Sequence, residues 1–254
     1  MRLRIRHDIV HRFESPAKSV LEILRLTPRS FEGQHVVGWR VNADADCQLK
    51  ASEDAYGNCL HSFFAAGPLN ALAVRVEGEI ETFDMAGVVR RAVERFPPEL
   101  FLRDTPDTMP DADVRDFARA CASGQDDDLG RAHALLDAMA AQAQDGEGPA
   151  RQNAHRFIAS ARFLGMPARF VSGYFLAESG VATLHAWAEA HLGPLGWIGF
   201  DPTTGICPQE RHVRLACGLD YWGAAPLRNA QGGGWPVAAE MAIAIVEAGG
   251  RTQA

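Results

Sequence analysis

Two polar residues in the C-terminal half, His185 and Asp201, have the side-chain types of a proton acceptor and of the carboxylate that orients it. An imidazole can take the proton of a nucleophile, and a carboxylate can hold the imidazole in the tautomer that does so. The nucleophile of such a site usually stands at the start of a helix, where free N–H groups and the helix dipole lower the pKa of a thiol. Residues 146–165, GEGPARQNAHRFIASARFLG, predict that helix. At its start stands Ala150, whose methyl group can neither lose a proton nor attack a carbonyl carbon.

His185 and Asp201 lie on the two arms of one predicted β-hairpin, HAWAEAHLGPLGWIGFD. The first arm alternates between a polar and aromatic face and an apolar face: His185, Trp187, Glu189 and His191 against Ala186, Ala188, Ala190 and Leu192. If the loop is Gly193 to Leu195, His185 opposes Thr203 and Asp201 is its diagonal neighbour at about 7–8 Å. A loop longer by one residue would put the two side chains on opposite faces, and the sequence leaves both registers open. It also leaves open that both residues have only a surface or structural role.

The sequence patterns of the segments around these residues predict strands and helices of an α+β protein, with an N-terminal β-domain followed by a second domain. Over residues 1–95, segments such as RLRIRHDIVHRF and LNALAVRVEGEIETFD alternate with period two, which indicates short antiparallel strands in a sandwich-like domain. Residues 96–110 are rich in proline and predict a linker. Residues 111–254 are predicted as a second domain, in which DADVRDFARACAS and DDDLGRAHALLDAMAAQAQ are helical by propensity and spacing.

The helix that begins near Ala150 has clear boundary signals. Pro149 suits its first turn, where a missing N–H costs nothing, and Gly165 and Pro167 predict its end. A stripe of apolar residues predicts its buried face: Ala154, Phe157, Ile158, Ala161 and Leu164. ARFVSGYFL then predicts a buried strand, and VAAEMAIAIVEAG predicts a strand near the C-terminus that could close the sheet.

Composition excludes several classes of protein. The chain has 254 residues and a net charge of -7 with both signs interspersed, and the absence of a basic stripe argues against nucleic-acid binding. The cysteines are scattered without a C-x-x-C pair, so we expect reduced thiols in the cytoplasm and neither a disulfide framework nor a structural zinc site. The sequence lacks the apolar run of a signal peptide and any stretch near the ~18 apolar residues of a membrane span. We expect no cofactor, and the oligomeric state stays open.

Several blocks, in order along the chain, resemble the bacterial transglutaminase-like superfamily. They are HRFIASARFLGMPARFVSGYF, HAWAEAHLGPLGWIGFDPTTG and HVRLACGLDY, preceded by LRIRHDIVHRFESPAKSVLEILRLTPRS, which resembles the β-domain in front of that family's catalytic core. Together they cover the chain to about Tyr221. The resemblance implies a papain-like core with a Cys-His-Asp triad that serves acyl transfer or amide hydrolysis. His185 and Asp201 stand where that triad has its base and its orienting carboxylate.

The third member of that triad is missing. Where the family has a pattern like G-V-C-Q-D-x-A-H, this chain has GPARQNAH (148–155), so Ala150 takes the place of the cysteine. Arg151 and Gln152 also differ from the pattern, which favours natural loss over a single engineered substitution. The sequence therefore predicts a pseudoenzyme that binds a peptide or protein amide in the former cleft, or supports a partner protein. The alternatives are an amidase or cysteine-protease-like hydrolase that uses His185 and Asp201 with an unidentified nucleophile or a water, and a purely structural scaffold.

Replacement nucleophiles are weaker candidates. Cys207 follows Asp201 closely along the chain, but a buried or incidental thiol is favoured there. Ser160 lies too far into the predicted helix to meet its free N–H groups, and Ser172 lies within a predicted strand. A packed or hydrogen-bonded histidine is favoured for His155.

Other candidate residues concern substrates and metals. Aromatic side chains are common in the walls of ligand pockets, and those predicted to bind substrate are Tyr174, Trp187 and Trp197. For the two tryptophans, a position in the packed interior or in the cleft wall is favoured over contact with substrate. His185, Glu189 and His191 share one strand face and have the types of zinc ligands. The two histidines, however, would lie roughly 20 Å apart at ~3.3 Å per residue, so we expect no metal site.

Overall fold

The computed structural model describes residues 1–142, 150–234 and 236–248, and it has the predicted α+β architecture. The strands are β1 (Arg2–Thr27), β2 (Gln34–Ala43), β3 (Lys50–Glu53), β4 (Cys59–Thr82), β5 (Val88–Val89), β6 (Ala168–Leu176), β7 (Ala182–His191), β8 (Trp197–Phe200), β9 (His212–Gly218), β10 (Leu227–Gly232) and β11 (Pro236–Glu247). The helices are α1 (Ala112–Ala122), α2 (Asp128–Gln142), α3 (Ala150–Phe163) and α4 (Tyr221–Ala224). Within the described residues, no helix has the length and apolar character needed to cross a membrane.

The N-terminal region forms one antiparallel sheet of six strands. β1 is 26 residues long, because the two strands predicted from the sequence continue into each other through register shifts between Arg12 and Ala17. The first half of β1 lies between β4 and β11, and the second half lies between β4 and β10. Buried residues of both halves, such as Ile5 and Leu24, pack into one hydrophobic cluster. The predicted antiparallel β-domain is therefore confirmed, with its strands joined in a single sheet.

The second sheet has five strands in the order β5-β8-β7-β6-β9. The apolar face predicted for β7 is confirmed, because its alanine side chains pack against Phe157 and Ile158 of α3. α3 ends before Gly165, which has a positive φ of 84° as the predicted end signal requires. Farther along β6 and β9, Tyr174 and Val213 join the core of the first sheet, which links the two parts of the molecule.

The chain crosses between the two sheets more often than the predicted domain ranges imply. β5, inside residues 1–95, pairs with β8 of the second sheet. β10 and β11, inside residues 111–254, return to pair with β1. The predicted second domain therefore needs a correction, since residues 227–247 belong to the first sheet. The strand expected from VAAEMAIAIVEAG closes that sheet by covering backbone groups of β1 that would otherwise form an exposed edge.

The predicted linker over residues 96–110 packs against the second sheet. It contains a short 3-10 helix, Pro98–Leu102, in which Phe101 is buried. Arg162 of α3 is buried as well and donates hydrogen bonds to the Phe101 carbonyl oxygen at 2.8 Å and to the Thr108 hydroxyl at 2.6 Å. Burial lowers the pKa of Arg162 to about 10, which leaves the guanidinium charged at neutral pH. This segment is thus a fixed part of the fold, although its proline content is typical of a linker.

Candidate active site

The hairpin register that joins His185 to Asp201 is the one that a loop of Gly193–Leu195 produces. These residues form a 3-10 turn between β7 and β8, and the pairing of Ala188 with Phe200 fixes the register. His185 Nε2 lies 2.7 Å from Asp201 Oδ2. The contact expected of this register is therefore confirmed, while the catalytic roles of both residues stay predictions.

Asp201 is a fully buried carboxylate surrounded by N–H donors. Its Oδ2 accepts from His185 Nε2 at 2.7 Å and from His212 Nε2 at 3.2 Å, and its Oδ1 accepts from the backbone of Thr203 at 3.0 Å and of Thr204 at 3.4 Å. Burial raises the pKa of Asp201, but the hydrogen bonds from the two histidines outweigh burial and hold the pKa below its usual range. Because an ionised carboxylate only accepts, His185 donates from Nε2 and keeps the lone pair of Nδ1 free to act as a base.

His212, the first residue of β9, is a functional candidate that sequence reasoning missed. Its Nδ1 accepts the backbone N–H of Gln209 at 3.2 Å, so its Nε2 carries the ring proton that is donated to Asp201. The ring is buried and lies 4.6 Å from the Phe175 ring, measured between centroids. His212 is the first residue of HVRLACGLDY, one of the blocks that resemble the family, and this position could have identified it as a candidate site residue. His212 donates to the same carboxylate oxygen as His185 and so helps to hold Asp201 in position.

His185, Asp201 and His212 also have the residue types of a metal site, with candidate ligand atoms within 4.8 Å of one another. A histidine that binds a metal presents the lone pair of one nitrogen and donates the N–H of the other. His212 has the opposite arrangement, because the amide of Gln209 can only donate to Nδ1 and leaves Nε2 protonated. The cluster therefore fits a hydrogen-bonded carboxylate better than it fits a metal ion.

A cavity of about 280 Å³, here called the His185 cavity, connects the imidazole to the start of α3. Its lining residues are Ala150, Arg151, Phe170, Ser172, Leu184, His185, Ala186, Tyr221, Pro226, Leu227 and Met241. Ala150 is the first residue of α3, so the position predicted for the missing sulfur opens on the same space as His185. Pro149, predicted for the first turn of this helix, lies outside the described residues.

The replacement nucleophiles are poorly placed for acyl transfer. Cys207 packs against the core beneath the helices, and burial raises the pKa of its thiol to about 11. Ser172 lines the His185 cavity, but its hydroxyl donates at 2.7 Å to a backbone carbonyl oxygen of α4. Ser160 is fully buried within α3. His155 accepts the first backbone N–H of α4 at 3.0 Å, and burial lowers its pKa, as expected of a packed and hydrogen-bonded histidine.

The aromatic residues predicted to bind substrate lie elsewhere, which corrects that expectation. Tyr174 is fully buried in the core of the first sheet. Trp187 and Trp197 are only 2% and 5% exposed, and neither lines the His185 cavity. Alternation along a strand predicts the face of a side chain, but it does not reveal what covers that face. The aromatic rings of the cavity wall are those of Phe170 and Tyr221.

A second buried carboxylate, Glu189, lies on β7 four residues after His185. Its Oε2 lies 2.6 Å from Arg169 Nε and its Oε1 lies 2.7 Å from Arg214 Nε, while Arg169 also pairs with Glu94 at 2.7 Å. Burial raises the pKa of Glu189, but the two arginines outweigh burial and lower the pKa to about 2. Glu189 is therefore a partner of two guanidinium groups and has no free oxygen for a metal ion.

Two family models match this chain. The bacterial transglutaminase-like N-terminal region matches residues 3–81, and the transglutaminase-like superfamily matches residues 127–202, a range that contains His185 and Asp201. The chain therefore has a bacterial transglutaminase-like N-terminal region followed by a core of the transglutaminase-like superfamily. The match to the core includes the start of α3, where Ala150 stands.

Relatives are similar over most of the chain. Uncharacterized protein ML0607 of Mycobacterium leprae is 25% identical over an alignment of 265 positions, gaps included, that covers 91% of this chain and 94% of the relative. Uncharacterized protein Rv2569c of Mycobacterium tuberculosis is 24% identical over an alignment of 272 positions, gaps included, that covers 90% of this chain and 87% of the relative. A crystal structure from Cytophaga hutchinsonii, named "Putative Cysteine Protease", matches 100% of this chain and 92% of its own with a TM-score of 0.76 and 19% identity. The last likeness confirms the cysteine-protease-like fold.

Proposed function

We propose that this protein is a transglutaminase-like pseudoenzyme that binds a peptide or protein amide in the His185 cavity, or supports a partner protein, without cysteine acyl transfer. The observation that carries the proposal is the residue at the start of α3. Ala150 opens on the same cavity as His185, and His185 keeps its 2.7 Å contact with Asp201. The base and its carboxylate partner are thus in place, while a methyl group stands where the chemistry needs a thiolate.

Other side chains near the cavity do not supply the missing atom. A thiol whose pKa is raised to about 11, as in Cys207, is almost entirely protonated at neutral pH and is a poor nucleophile. The Ser172 hydroxyl is directed to a backbone carbonyl oxygen, and no base accepts its proton within the described residues. These contacts favour ligand binding over covalent catalysis.

A second candidate function is a hydrolase in which His185 activates a water. The observation in its favour is the intact contact between His185 and Asp201, which a pure scaffold does not need. General base catalysis alone contributes only about 10²–10⁴-fold, so such an enzyme would be slow.

Turnover of peptide-amide substrates distinguishes the two functions. We expect no amidase or acyl-transfer activity above the uncatalysed rate in the native protein, in His185→Ala or in Cys207→Ala. Native turnover that disappears in His185→Ala would make the water-activating hydrolase correct, and loss in Cys207→Ala would identify a thiol nucleophile. For a purely structural scaffold, a bulky Ala150→Trp substitution would leave the binding of partner proteins unchanged, whereas the proposal requires weaker binding.

The cytoplasmic location remains part of the proposal. Its support is the set of scattered free thiols, among them Cys47, Cys59 and Cys121, that a reducing compartment would preserve. Fractionation of cells that express the full-length protein tests it, and recovery of the chain outside the cytoplasm would contradict it.

A further inference from the structure

The first sheet ends in a strand that has no neighbour on its outer side. β11 pairs with β1 from Pro236 to Glu247, and within the described part of the chain it pairs with no other strand. A strand has hydrogen-bonding groups along both of its sides. One row of N–H and C=O groups of β11 is therefore left without a partner in the sheet.

The register shows which residues direct these groups outward. The backbone N–H of Ala248 donates to the Arg2 carbonyl oxygen at 2.8 Å, so the backbone of Ala248 faces β1. Because backbone direction alternates along an antiparallel strand, every second residue from Ala248 back to Glu240 also faces β1. The residues between them direct their N–H and C=O groups away from β1: Ala239, Met241, Ile243, Ile245 and Glu247.

β11 lacks the features that usually keep a long edge strand from pairing, which are lysines, prolines and bulges along its length. Between Val237 and Val246 the sequence has a single charged residue, Glu240, and the irregularity in the pairing lies at the start of the strand, beside Phe13. Met241 and Val246 are large apolar residues that are 49% and 56% exposed. An accessible, apolar edge of this kind is suited to pairing with another extended chain.

The outward row of β11 leads to the His185 cavity. Met241 has outward backbone groups, and it lines that cavity together with Leu184 and Leu227. In an antiparallel pair, the side chains of opposed residues lie on the same face of the sheet. A residue that pairs with Met241 from outside therefore directs its side chain toward the same apolar wall.

We infer that β11 binds an extended peptide as an additional antiparallel strand of the first sheet, with one apolar side chain of the peptide in the His185 cavity. The inference rests on the proposed function and makes it specific, because it states how the peptide is recognised. Main-chain hydrogen bonds to β11 provide affinity that does not depend on sequence, and the cavity selects the apolar side chain.

A free peptide is favoured over the edge strand of a second copy of this chain. Leu184 of β7 and Met241 line the same cavity, so the second sheet reaches the edge beneath β11. Two copies paired antiparallel through β11 would bring both second sheets together on the same face of the joined sheet. A single extended chain needs only the width of one strand, about 4.8 Å.

Calorimetric titration of the full-length protein with the capped peptide KTVTFTVTK and two N-methylated forms of it tests the inference. One form is methylated at the nitrogen of the central phenylalanine, whose N–H faces β11 when its ring enters the cavity. The other is methylated at the threonine that follows, whose N–H faces away from β11. We expect the threonine form to bind within about threefold of the parent peptide, and the phenylalanine form to bind at least about tenfold more weakly, because it leaves a carbonyl oxygen of β11 unpaired.

A variant of β11 tests the same pairing from the side of the protein. Ala239→Pro removes one outward N–H without removing a hydrogen bond to β1, so it should weaken binding of the parent peptide by about tenfold or more. Ala239→Ser keeps the N–H and should bind as the native protein does. Circular dichroism confirms that both variants fold.

The outcomes separate the inference from the proposed function. Equal binding of the two N-methylated forms, or the reverse preference, would overturn the strand pairing. Binding of the parent peptide that is lost in Ala150→Trp but unchanged in Ala239→Pro would also overturn it and would leave the proposed function intact. Absence of parent-peptide binding, or a dimer that sedimentation detects and Ala239→Pro removes, would overturn the peptide as the occupant of this edge. Covalent turnover of the peptide would instead contradict the proposed function.

Discussion

Two buried carboxylates on the same hairpin have similar surroundings and different consequences. Glu189 lies between two arginines, and Asp201 lies between two histidines. Both are fully buried, and neighbouring N–H donors hold both pKa values below the usual range. The partners of Glu189 are arginines that stay charged and donate to its carboxylate, so this cluster has no group that can act as a base or a nucleophile. Around Asp201 one partner, His185, has a second nitrogen that opens on a cavity.

The difference shows how one strand can have both a structural and a chemical site. Guanidinium groups cannot lose their protons, so the Glu189 cluster has a single charge state over the physiological range. An imidazole has one nitrogen that can accept a proton while the other donates, and the hydrogen bond to Asp201 fixes which nitrogen of His185 is the acceptor. We therefore expect damage to the Glu189 cluster to change stability most, and damage at the His185 cavity to change binding and reactivity most.

The largest effect is expected for Glu189→Gln. The substitution leaves Arg214 without its carboxylate partner and Arg169 with Glu94 alone, and breaking a buried ion pair typically costs about 3–5 kcal/mol. Urea unfolding monitored by circular dichroism measures the loss, with Glu178→Gln at an exposed position as the matched control. A loss no larger than that of the control would contradict the view of Glu189 as the structural centre of the hairpin.

Acid should remove the same contribution in the native protein. The pKa of Glu189 is lowered from 4.5 to about 2, so the stability it adds is complete above pH ~4.5 and is lost as the pH falls toward 2. Because each tenfold change in the acid dissociation constant corresponds to roughly 1.4 kcal/mol, the difference in unfolding free energy between native protein and Glu189→Gln should shrink by about 3 kcal/mol over that range. A difference that does not depend on pH would contradict the ionised state of Glu189.

A smaller loss, about 1–3 kcal/mol, is expected for Asp201→Asn. The amide keeps the shape of the side chain but has only one acceptor atom, so its NH2 group must face either the two histidines or the backbone N–H groups of Thr203 and Thr204. Urea unfolding measures this loss too, with exposed Asp126→Asn as the control, which should change stability by less than about 0.5 kcal/mol. A larger loss than that of Glu189→Gln would reverse the comparison of the two clusters.

The sequence predicts the two clusters unequally well. The alternation of side chains along β7 predicts that His185 and Glu189 share one face of the strand. Loop length sets the register of a hairpin, so a loop of Gly193–Leu195 predicts the contact between His185 and Asp201. The partners Arg169 and Arg214 come from β6 and β9. Their contact with Glu189 depends on the order of the strands in the sheet. The sequence pattern within one strand gives no information about that order.

Long-range packing explains the other differences. His212 reaches Asp201 from β9, and residues 227–247 return to the first sheet, through pairings between segments far apart in sequence. Trp187 and Trp197 were expected in the cleft because aromatic residues often line pockets, but their neighbours bury them. The start of α3 was predictable, since Ala150 precedes an apolar stripe of helical period that ends at a glycine.

The alkylation rate of a cysteine introduced by Ala150→Cys tests the central claim most directly. The helix start and His185 should lower the pKa of that thiol from about 8.5 into the range of ~3.5–7.5. Site-resolved mass spectrometry, which separates this thiol from the native cysteines, measures its reaction with iodoacetamide at neutral pH. The reference is an exposed cysteine introduced by Ser123→Cys at the end of α1. The account predicts that the thiol at position 150 reacts faster than the reference by about tenfold or more, and that adding His185→Ala removes most of this advantage. The account would be contradicted if the thiol at position 150 reacted no faster than the reference thiol. It would also be contradicted if the His185→Ala substitution left the reaction rate unchanged.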